Sequence, residues 1–134
     1  MKTPRTTSDS PPPEVSADAS ALATWTATVA ALREAGRWTS ADRAVVARYS
    51  LLSSLWAASQ RDVAENGTVM RTRSGYESVR VSAVLVTKLA AAMLSIENSL
   101  GMNPRGRQKL KAVDRRSDED DPEHQLLQRL KVRI

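Results

Sequence analysis

Four basic side chains, Arg105, Arg107, Lys109 and Lys111, crowd into one short stretch near the end of the chain. Arg71, Arg73 and Arg80 form a second basic stretch upstream. Cations at this density suit phosphate. Lysine and arginine neutralise backbone charge and release condensed counterions, which gives salt-dependent DNA affinity. Contacts of that kind position a duplex without reading its bases, and no residue here is assigned to base readout. The plain alternative for 105–111 is a solvated helix end whose charges favour the helix dipole.

Other chemistry finds little support. There is no glycine-rich phosphate loop, no paired histidine and no nucleophile elbow. Cysteine is absent, so neither a disulfide nor a thiolate metal site can form. The run Asp118-Glu119-Asp120-Asp121 invites a two-metal reading. Such carboxylates must converge from separated elements, whereas consecutive residues in a polar stretch diverge. The run therefore reads as a solvated acidic linker, and His124, the one histidine, as a surface residue. The sequence predicts no catalytic residue, no metal, no cofactor and no enzyme activity.

Charge is distributed in blocks. A net charge of +5 hides +4 over residues 82–113, −4 over 114–124 and +3 over 125–134. This basic–acidic–basic alternation carries more information than its sum. The N-terminus reads MKTPRTTSDSPPPE, without the apolar region of a secretory leader. The apolar run Val81–Leu94 is broken by Ser82, Thr87 and Lys88 and falls short of the ~20 residues of a membrane span. The expectation is a chain with no membrane partner in a reducing cytoplasm.

The elements that must position the basic residues are helical. Residues 1–19, rich in Thr, Ser and Pro, read as a disordered arm. A helix is predicted over Ala19–Ala35 from Leu22, Trp25, Val29 and Leu32, with Ser20 as a cap and Gly36 at the end. Trp25 and Trp38 read as packing anchors. A second helix covers Ser40–Glu65, opened by the capping-box pattern of Thr39 and Asp42 and closed at Asn66-Gly67. Its stripe is Val45, Tyr49, Leu52, Trp56 and Val63. At roughly 39 Å it is long against the ~13 Å radius of gyration of a compact domain of ~100 residues. Residues 68–78 form either a short hairpin or a plain loop. The third helix runs to Leu100, with Gly101 closing it; Asn103 and Pro104 then start a short basic helix. Residues 20–113 thus make one helical domain. An acidic linker over 114–121 and a helix over 122–134 follow, the latter with Leu126, Leu127, Leu130 and Ile134 on a narrow apolar face.

The third helix is too apolar for one neighbour. Val81, Val84, Leu85, Val86, Leu89, Met93, Ile96 and Leu100 spread over roughly 200°, about twice what a helix buried on one side needs. Leu94 falls outside even that arc. Either other helices of the same chain wrap this helix, as in a monomeric bundle, or other copies do. The chain offers only two further helices of comparable length, which favours self-association, with Val84, Val86, Met93 and Leu94 as the interface. The fold class is all-α: long antiparallel helical hairpins with a short C-terminal basic helix, in a chain that self-associates.

The order of features over Leu22–Val113 resembles the small subunit of bacteriophage terminase, in the group from phages with long noncontractile tails. Trp25, Leu32 and Gly36 carry the likeness, then Thr39-Ser40-Ala41-Asp42 opening a helix with Tyr49 and Trp56, then Gly67. Most specific is the ending Leu100-Gly101-Met102-Asn103-Pro104-Arg105-Gly106-Arg107-Gln108-Lys109-Leu110. Val79-Arg80-Val81 departs from the proline that members often carry at the start of the third helix. The resemblance implies a helical protein forming a ring of roughly eight to ten copies. It would bind double-stranded viral DNA in the host bacterial cytoplasm and deliver it to the large terminase subunit, which owns the ATPase and nuclease. Leu126, Leu127 and Leu130 would dock that subunit. Two other readings fit the residues: a dimeric transcriptional regulator using the second helix, and a structural adaptor with no nucleic-acid role.

Overall fold

The computed structural model describes residues 10–111 together with Leu126, Arg129 and Leu130. In chain order come α1 (Pro13–Ser16), α2 (Ala19–Glu34), a 3-10 turn (Ser40–Asp42), α3 (Arg43–Asn66), β1 (Val69–Arg71), β2 (Glu77–Val79) and α4 (Val81–Leu100). A further helix, α5, takes residues 104–111. Packing divides the described residues into two units, and the boundary between them, at Ile96 and Glu97, falls inside α4.

In the first unit, α2 and α3 pack side by side and α1 lies against both. Their shared core holds Val15, Ala21, Trp25, Val29, Leu32, Val46 and Tyr49. The Trp25 and Trp38 rings meet edge to face, with centroids 6.0 Å apart. Burying apolar side chains of this size removes roughly 1.5–3 kcal/mol each from the unfavourable side of folding.

Order begins earlier than the sequence reading placed it. Pro13 sits in the first helical position, where its missing N–H costs nothing. Val15 is fully buried, so this segment has the apolar anchor that the expected arm over 1–19 seemed to lack. Asp18, not Ser20, caps α2: its Oδ1 accepts the N–H groups of Ser20 at 3.0 Å and Ala21 at 3.2 Å.

The link from α2 to α3 follows from local chemistry. Gly36 takes φ 69°, and the Arg37 N–H reaches back to the Leu32 carbonyl at 2.8 Å, closing the helix in a Schellman turn. The capping box is present, with the Thr39 N–H donating to Asp42 Oδ2 at 3.2 Å.

The buried face of α3 differs from the expected stripe. Val46, Tyr49, Ser50 and Ser59 are buried, while Val45, Leu52, Trp56 and Val63 are half-buried. Small side chains set this rotation. Thr24 Oγ1 lies 3.3 Å from Ser53 Oγ, Ser54 Oγ donates to Asp18 Oδ2 at 2.5 Å, and Ser50 Oγ returns to the Val46 carbonyl at 2.8 Å. Hydroxyls occupy the seam, and Leu51 and Leu55 are left exposed.

Residues 68–78 form a hairpin, so the fold is mainly rather than wholly helical. Gly75 N–H bonds to the Thr72 carbonyl at 2.9 Å and takes φ 81°, the left-handed position that ends a three-residue hairpin loop. At the foot of the hairpin Asp62 of α3 accepts from Ser82 Oγ and lies 3.8 Å from Arg80, fixing the start of α4 to α3. Beyond that point α4 is thinly covered: Leu89 is buried, but Val81, Val84 and Leu94 are exposed.

Candidate nucleic-acid interface

The second unit is built around a corner. At the end of α4, Gly101 takes φ 68°, and the Met102 N–H donates to the Glu97 carbonyl at 2.9 Å. These bonds satisfy carbonyls that a helix end leaves unpaired. Asn103 then caps α5, its Oδ1 accepting the Gly106 N–H at 2.8 Å, while its Nδ2 donates to Asn98 Oδ1 at 2.7 Å. Gly106 has no room for a side chain: a Cβ there would lie 2.4 Å from the Asn98 oxygen and 2.9 Å from its Cα. The two helices therefore meet backbone to backbone.

This corner displays Arg105, Arg107, Lys109 and Lys111, all exposed. They do not form one track. At about 100° per residue, Arg105 and Lys109 fall within ~40° of each other, as do Arg107 and Lys111, and the two pairs lie on opposite flanks of α5. Sequence density suggested one patch; helical geometry makes two ridges.

The upstream arginines have different surroundings. Arg71 donates to Glu77 Oε1 through Nε at 3.0 Å and Nη2 at 2.8 Å across the hairpin. Both side chains remain largely exposed, so the pair leaves Arg71 accessible but locally balanced. Arg73 is exposed on the hairpin loop. Arg80 is mostly covered: it faces Asp62, and its Nε is buried without a hydrogen-bond partner. It fits a structural post better than a phosphate contact.

Two carboxylates in the first unit are held below their ordinary value of 3.8. For Asp18 the main cause is the hydrogen bond from Ser54, followed by the Ala21 and Ser20 N–H groups. For Asp62 it is the bond from Ser82, then Asn66 and the charge of Arg80.

Among the residues assigned to self-association, Val84 and Leu94 are exposed, and Val86 and Met93 are half-buried. Exposed Leu51 and Leu55 on α3 were missed; their i, i+4 spacing off the chosen stripe was the available signal. The helical stretch from Val81 also meets the length and apolar composition of a membrane span, which corrects the shortfall inferred from the interrupted run. Of the predicted docking residues, Leu126 and Leu130 are exposed, while Leu127 lies outside the described residues, as do Asp118–Asp121 and His124.

The family model for phage terminase, small subunit, matches residues 21–117, from the first turn of α2 to just past α5. The chain belongs to the phage terminase small-subunit family. No curated protein and no solved structure matches it. Small terminase subunits are in general the non-catalytic, regulatory partner in packaging. Membership therefore places this small subunit in phage genome packaging. The family match ends just past α5, so the corner and its basic ridges belong to the shared part, whereas α1 and Asp18 precede it.

Proposed function

We propose that copies of this chain close into a ring that binds double-stranded viral DNA and presents it to the large terminase subunit in the host cytoplasm. The observation that carries the DNA-binding part is the corner at Gly101–Gly106. It fixes a short helix by main-chain contact and leaves four cations exposed on it. Arg105, Arg107, Lys109 and Lys111 would contact phosphates, with Arg71 and Arg73 adding to them. Repetition around a ring would turn a weak contact per copy into useful avidity.

Assembly is supported by apolar surface that the described chain leaves open, Val84 and Leu94 on α4 and Leu51 and Leu55 on α3. Covering such surface with other copies favours association by roughly 25 cal/mol per Å2 of apolar area removed from water. The exposed Leu126 and Leu130, with Leu127, would dock the large subunit.

Two measurements test this. Solution mass in detergent-free buffer should show a many-copy assembly. A monomer would refute the ring, and a protein soluble only in detergent would assign α4 to a bilayer. Fluorescence anisotropy on duplex DNA should show affinity falling steeply with salt. No binding at low salt would refute the DNA role.

A further inference from the structure

The hairpin offers two strand edges. Bonds from the Thr72 N–H to the Tyr76 carbonyl, 2.9 Å, and from the Arg80 N–H to the Thr68 carbonyl, 2.8 Å, bracket the ladder. Main-chain groups alternate in and out along an antiparallel pair. Thr68, Met70 and Thr72 therefore face Arg80, Ser78 and Tyr76, while Val69 and Arg71 turn theirs outward along one edge. Glu77 and Val79 do the same along the other. The register pairs Val69 with Val79 and Arg71 with Glu77, so all four side chains share one face. That face is open: Val69 and Val79 are 48% and 62% exposed.

We propose that hairpins of neighbouring copies join edge to edge, β1 of one copy against β2 of the next, forming a continuous antiparallel sheet within the assembly. The inference rests on the ring reading above. Charge selects the pairing. Antiparallel β1 against β2 repeats the hairpin's own register, giving an unbroken row of valines and a row alternating arginine with glutamate. A β1 edge against another β1 would set Arg71 opposite Val69 and bring like charges to the diagonal; β2 against β2 does the same with Glu77. The favoured contact is head to tail, the kind that propagates into a ring instead of stopping at a symmetric dimer. Strands of three residues make each junction weak, which keeps isolated copies from pairing indiscriminately.

Charge reversal in the full-length chain separates contacts between copies from those within one. Arg71→Glu makes every hairpin acidic at this row, and Glu77→Arg makes every hairpin basic. Each variant should raise the protein concentration for half-assembly about three- to ten-fold, read by sedimentation, with helicity by circular dichroism unchanged. An equal mixture should return to within about two-fold of wild type, since acidic and basic hairpins then alternate. Both variants lack the internal pair, so rescue on mixing cannot come from within a hairpin. A mixture no better than its components would overturn the proposal, as would variants that assemble like wild type. Val79→Pro gives an independent check: it deletes an outward N–H and leaves the inward ladder intact. Normal assembly of that variant also overturns the edge pairing. A monomeric wild type, by contrast, defeats the ring reading itself and is recognised before any variant is made.

Discussion

Gly106→Ala tests whether the corner matters through space or merely through helix propensity. Gly106 has no unusual backbone angle, so the two effects have opposite signs. In an unobstructed helix the change would stabilise by about 1 kcal/mol. Here the added carbon would sit 2.4 Å from the Asn98 oxygen, and contacts below 3.0 Å are essentially not met, so α5 must retreat by at least 0.6 Å. The obstruction is main chain and cannot rotate away. Overpacking of this kind costs about 1–3 kcal/mol, which cancels or exceeds the propensity gain. The Gly106 N–H bond to Asn103 is also strained by the retreat. Hydrogen exchange should therefore speed up across α5, and DNA affinity should fall, while amides of α2 and α3 keep their protection. Slower exchange in α5 with unchanged DNA binding would refute the backbone-contact argument.

Arg105→Ala with Lys109→Ala, and separately Arg107→Ala with Lys111→Ala, test the two flanks of α5. Each double variant should lower the log–log salt slope by about 1.8 per bound copy; a slope left unchanged by either pair would remove that flank from the DNA interface. Asp18 and Asp62 are stabilised as carboxylates in the folded state. The unfolded chain takes up protons first, near 3.8, and stability falls as acid is added through the lower folded values. Urea midpoints measured between neutral pH and pH 2 should decline in that window, and Asp18→Asn with Asp62→Asn should flatten the decline at the expense of stability at pH 7. Val84→Asp or Leu94→Asp should raise the concentration for half-assembly about tenfold or more, since a charge would be buried between copies; sedimentation checks it. Trp25→Ala should cost about 3–5 kcal/mol in urea unfolding because its ring is 2% exposed against Trp38 and the α2–α3 core.

What the sequence made legible was whatever rests on local chemistry. Gly36, Gly67 and Gly101 end helices with positive φ, as their positions predicted. Thr39 and Asp42 form the box that their spacing announced, and Asn103 with Pro104 restarts the chain as expected. What stayed hidden depends on neighbours. Ser53 and Ser54 of α3 meet Thr24 of α2 and its cap Asp18, partners far off in sequence, and their seam turns α3 away from its larger apolar residues. Val15 is one apolar residue in a proline-rich run, and periodicity cannot flag a single anchor. The basic residues of α5 were visible as a cluster. Their separation onto two flanks follows from helical pitch and was available without coordinates. The role of Arg80 was not, because Asp62 is far off in sequence.

The segment from Ser10 to Asp18 has a practical bearing on any shortened version of this protein. The family match starts at residue 21, which makes that an inviting place to cut. A fragment cut there would lose the carboxylate that receives two α2 amides and a serine of α3, the valine plug, and the Ser10 carbonyl that holds Arg43 at 3.2 Å. Its first helix would open from the front like an unbuttoned cuff, and fragments trimmed to the family match would unravel where that match begins.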